Sequence, residues 1–96
     1  MNYKEKRIEA YERIPKNISE EERRNYKVLC DIIHAPRVHE SVSPILKQIL
    51  QGEDTAFPLI VDGKKELFDI EVTEEFHTFV VEEMRPYIVE VNYKEI

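Results

Sequence analysis

A small α+β domain is the fold class this sequence predicts, and three observations predict it. An apolar run, Phe57 to Val61, and a loosely alternating run, Glu66 to Val72, flank the dipeptide Asp62-Gly63. Asp-Gly favours a two-residue hairpin turn, because both central residues of a type I′ turn need positive φ. Helix start signals stand upstream at Ser19 and Ser43-Pro44 and downstream at Thr73. A last segment, Tyr87 to Tyr93, alternates apolar and polar positions as a half-buried strand does. The expected architecture is therefore a three-stranded sheet, made of a hairpin at 57–72 and a strand at 87–93. Helices at 20–34, 44–51 and 74–84 cover it, and a further helix spans 2–14.

Each element has its own justification. Tyr3, Ile8, Tyr11 and Ile14 form a thin apolar stripe among Lys, Arg and Glu, and Pro15 ends that helix. So narrow a stripe marks residues 1–14 as a peripheral or partner-bound helix. Ser19-Glu20-Glu21-Glu22 is a capping box whose carboxylates also face the positive end of the helix dipole. Tyr26, Val28, Leu29, Ile32 and Ile33 then recur at helical spacing, with Cys30 beside them. Ser43-Pro44 starts the third helix with an N-cap and a proline in its first turn. Val42, Ile45, Leu46, Ile49 and Leu50 supply its buried side, and Gly52 closes it. Thr73 opens the fourth helix, Phe76, Phe79, Val80 and Met84 face inward, and Arg85-Pro86 ends it.

Composition bounds the function. The chain has the length of one domain, 1–96, and is 42% hydrophobic and 35% charged. Residues 1–50 hold ten Lys/Arg against eight Asp/Glu, and residues 51–96 hold four against twelve, within a net charge of −6. An acidic half repels phosphate, which argues against nucleic acid as the partner of that face. The single cysteine forbids an internal disulfide and fits a reducing, cytoplasmic setting. No apolar stretch approaches the roughly 20 residues of a membrane span, and the charged N-terminus does not read as a signal peptide.

Candidate sites are few. Cys30 and His34 stand four apart on one helix face, with His39 five residues on, so the three are candidate zinc ligands. Zinc sites usually show paired spacing on two arms, and here there is one; a cysteine on an apolar helix flank reads first as a small core residue. Cys30 with His34 also has the spacing of a nucleophile and base, but a mid-helix thiol among Ile and Leu lacks an electropositive setting. His77 neighbours Glu74 and Glu75 and reads as a surface histidine. The carboxylate pairs Asp69/Glu71 and Glu82/Glu83 carry no convergent geometry, and no glycine-rich phosphate loop exists. The expectation is no enzyme and no cofactor.

Two binding readings remain. Three helices, a hairpin with Asp62-Gly63-Lys64-Lys65 at its tip and a further helix resemble the order of winged-helix DNA-binding domains. That resemblance implies a DNA-binding regulator, with helix 44–51 entering the groove. The helix offers only Lys47, Gln48 and Gln51 for that task, and Arg23, Arg24, Lys27 and Arg37 are flanked by Glu20, Glu21 and Glu22. The preferred reading is a small regulatory protein of bacterial or phage type that binds a protein partner or itself as a homodimer. Its expected contact residues are Tyr3, Ile8 and Tyr11 on the first helix and Tyr87 and Tyr93 on the last strand, whose outer edge is uncovered. A small metal-binding protein is the lesser alternative.

Overall fold

A computed structural model describes residues 3–35 and 43–88. Within them the order is α1 (Tyr3–Arg13), α2 (Glu20–Ile33), α3 (Ser43–Leu50), β1 (Thr55–Val61), β2 (Lys64–Ile70) and α4 (Glu74–Ile88). This is the expected α+β class, and local chemistry sets most of its boundaries. The Ser19 hydroxyl accepts from the Glu22 amide at 3.1 Å while the Glu22 carboxylate takes the Ser19 amide, so the capping box forms as read. Gly52 has φ +81, and the amides of Gly52 and Glu53 donate to the carbonyls of Ile49 and Gln48. That is a Schellman closure of α3. The Thr73 hydroxyl accepts from the Phe76 amide at 3.1 Å and starts α4. Asp62 (φ 52) and Gly63 (φ 78) make the type I′ turn.

The strands pair antiparallel with Phe57 opposite Phe68 and Val61 opposite Lys64. One face of the hairpin turns inward through Thr55, Phe57, Phe68 and Ile70, all buried. The core joins that face to Leu29, Cys30 and Ile33 of α2, Leu46 and Ile49 of α3, and Phe76 and Val80 of α4. Tyr26 ties α2 to α4 by edge-to-face contacts with Phe76 and Phe79, centroids 4.8 and 4.9 Å apart. Ala10 of α1 is fully buried and Ile14, just past its end, nearly so, and this thin-striped helix reaches the same core.

Two expectations are corrected. Among the described residues the sheet has two strands, not three. The helix expected at 74–84 continues through Pro86 to Ile88, so Tyr87 and Ile88 are helical where a strand was expected. A proline withholds only its own amide, the donor that would reach the Glu82 carbonyl. The loss falls near the end of a helix already anchored by Phe76 and Val80. The alternation from Tyr87 onward therefore loses its first two positions to the helix. The rest of that strand, 89–93, lies outside the described residues.

Candidate functional site

Two features of this small fold run against the usual partition of residues: charge inside, and apolar surface outside. The first lies where α1, α2 and α4 meet. Glu83 follows Phe76 and Val80 along the buried stripe of α4, which places a carboxylate in the core at 5% exposure. A buried carboxylate requires partners. Arg13, at the end of α1, donates from Nε at 2.6 Å and Nη2 at 2.8 Å, one bond to each carboxylate oxygen. His34, the C-cap of α2, lies 2.8 Å from Oε1 and is itself buried. Its Nε2 is the donor in that bond, since a carboxylate can only accept. Burial alone would push the Glu83 carboxyl up. The Arg13 and His34 hydrogen bonds outweigh it and hold the group below its ordinary range.

This cluster joins three helices, and its groups are engaged with one another. Both carboxylate oxygens accept protein donors, and the imidazole is turned to the carboxylate. Cys30 lies fully buried one helical turn before His34. Burial, with Glu83 and Asp31 nearby, pushes its thiol up to about 12. A thiol so raised stays protonated at neutral pH and is a poor nucleophile. No group of three metal-ligating side chains converges among the described residues, and His39 lies outside them.

The second feature is the outer face of the hairpin. Strand alternation sends Ala56, Pro58 and Ile60 of β1, and Lys65, Leu67 and Asp69 of β2, to the side away from the core. Ile60 is 76% exposed and Leu67 68%, the most exposed large apolar residues among those described. Register places Pro58 opposite Leu67, with the pairs Ala56–Asp69 and Ile60–Lys65 on either side. The strand edges are treated differently. Val61 and Lys64 flank a two-residue turn, so they form a hydrogen-bonded pair, and the backbone groups of Pro58 point to the outer edge of β1, away from β2. Proline has no amide there to offer another strand. On the β2 edge, the Asn25 side chain reaches the Asp69 carbonyl at 3.5 Å.

The residues singled out in the sequence are scattered. Tyr3 and Ile8 are exposed on α1 at 39% and 46%. Tyr11 is half-buried, and its phenol donates to Asp31, which together with burial raises its pKa. Tyr87 belongs to α4, and Tyr93 lies outside the described residues. His77 is half-buried, and its Nε2 donates to the Leu50 carbonyl at 2.8 Å, capping the end of α3 from α4. Glu82 is exposed and pairs with Arg85, so it and Glu83 do not share a site. Of the groove-reading set on α3, Gln48 is engaged at both ends of its amide. It donates to the Asp54 carbonyl and accepts from the Thr55 hydroxyl. Arg24 is drawn over the Phe68 ring at 4.1 Å and toward Glu66 at 3.4 Å. The Glu83 cluster escaped the sequence reading because its members lie up to 70 residues apart. One signal was available: a glutamate in register with a buried helical stripe.

No family model, curated protein or solved structure matches the chain.

Proposed function

We propose that this chain is a non-enzymatic interaction module that works through protein–protein contacts, with the outer hairpin face as its principal contact surface. The observation that carries this reading is the exposure of Ile60 and Leu67 on one face, beside Pro58 and Ala56. A contiguous apolar patch ringed by polar residues marks a binding surface more often than a solvated one. The polar groups best suited to chemistry support the same reading from the other side. Glu83, Arg13 and His34 satisfy one another in the interior, and Cys30 is held as a protonated thiol. Tyr3 and Ile8 are further exposed apolar residues on α1.

The test is capture from an extract of the cells that make the protein. Wild type is compared with the double variant Ile60→Lys/Leu67→Lys and with Tyr3→Ala/Ile8→Ala. Capture of a protein partner, further copies of this chain included, that the hairpin variant loses and the α1 variant keeps is the expected result. Equal capture by all three overturns the assignment of the surface.

A further inference from the structure

The outer hairpin face is self-complementary, and we infer that its partner is a second copy of this chain, packed face to face about a two-fold axis that crosses the strands at the Pro58–Leu67 pair. This rests on the hairpin as contact surface and goes beyond it by naming the occupant.

The argument is one of register and charge. Three cross-strand pairs line the face in order: Ala56–Asp69, Pro58–Leu67 and Ile60–Lys65. A two-fold axis running across the strands through the middle pair inverts that order in the second copy. β1 then lies over β1 and β2 over β2. Lys65 of each copy faces Asp69 of the other, Leu67 meets Leu67, and the large Ile60 lies over the small Ala56. An axis along the strands would instead lay Ile60 over Lys65 and Ala56 over Asp69, burying each charge against an apolar group. That arrangement carries a desolvation cost without a partner charge to offset it. Charge and side-chain size thus select the same axis. Sheets packed this way stand about 10 Å apart, within reach of a Lys–Asp pair extended from both sides.

The competing mode, addition of a strand at an edge, meets obstacles on both sides. Pro58 has no amide to offer on the β1 edge, and Asn25 occupies the Asp69 carbonyl on the β2 edge. Each strand has seven residues, so the face is about 23 Å long and two strands wide. That is small beside the roughly 800 Å² per partner of a standard interface, so the dimer is transient and forms in the micromolar range or weaker.

The experiment is sedimentation of the full chain across a concentration series, with circular dichroism confirming that each variant is folded. Wild type is expected to pass from monomer to dimer. Lys65→Asp and Asp69→Lys each set like charges against one another and should each weaken the dimer about tenfold. The double variant Lys65→Asp/Asp69→Lys restores the opposite-charge pairing and should recover most of the affinity. Single variants without effect, or a double variant no better than either single one, overturn the two-fold arrangement. A chain that stays monomeric at millimolar concentration overturns self-association. If that monomer still captures another protein through Ile60 and Leu67, the proposed function stands and the occupant is a different chain. If it captures nothing, both fall.

Discussion

The junction of α1, α2 and α4 and the outer face of the hairpin break the same rule in opposite directions. At the junction a carboxylate, an imidazole and part of a guanidinium are drawn into the core. On the hairpin, isoleucine and leucine are left in water. The junction resolves its anomaly internally: each oxygen of Glu83 has a donor, and the partners come from elements far apart in sequence. The hairpin face has no such resolution among the described residues. The difference separates a polar cluster that is satisfied within the fold from an apolar patch that we propose meets another molecule.

The comparison is sharpened first by removing Glu83. Glu83→Ala leaves His34 buried without its carboxylate and frees Arg13, whose side chain is 53% exposed and so less affected. The expected loss is about 3 kcal/mol, or roughly 15 °C in the thermal midpoint. A loss under about 1 kcal/mol would make the cluster incidental.

Acid titration tests the same cluster through its charge. The Glu83 carboxyl is held below its ordinary 4.5 in the folded chain. A depressed carboxyl contributes stability that is present above its unfolded pKa and is lost as pH falls through the folded one. Denaturant titrations from neutral pH into acid should therefore show wild type falling toward Glu83→Gln, with the gap between them narrowing below about pH 4. A gap independent of pH would mean that shape, not charge, matters at this position.

The turn that presents the hairpin face gives a smaller effect. A Cβ on Gly63 would meet nothing within 4 Å, so Gly63→Ala should cost only the backbone strain of φ +78, about 1 kcal/mol in chemical unfolding. The smallest effect belongs to the face itself. Ile60→Lys and Leu67→Lys should each change stability by less than about 0.5 kcal/mol while removing association. A large destabilisation would show that these side chains are structural.

The sequence revealed what short-range chemistry controls. The capping box at Ser19, the closure at Gly52, the turn at Asp62-Gly63 and the start at Thr73 each depend on neighbours within five residues, and each stands where it was expected. Tyr87 was misread because a period of two over a few residues resembles a strand whether or not the preceding helix has ended. Pro86 reads as the end of α4, yet a single missing amide does not stop the helix. The Glu83 cluster stayed hidden because it is assembled by tertiary packing. So did the fate of His77, whose partner, the Leu50 carbonyl, lies 27 residues away. The exposed hairpin face was hidden for a different reason. The run Phe57 to Val61 is apolar at every position, so strand alternation leaves no polar residue in it to mark the side that faces solvent.

The most direct test of which region makes the contact is an NMR dilution series on the isotopically labelled full chain. Concentration-dependent amide shifts are predicted at Ala56, Ile60, Lys65, Leu67 and Asp69, with the amides of Arg13, His34 and Glu83 unmoved. Shifts confined to α1 around Tyr3 and Ile8, with the hairpin silent, would contradict the account.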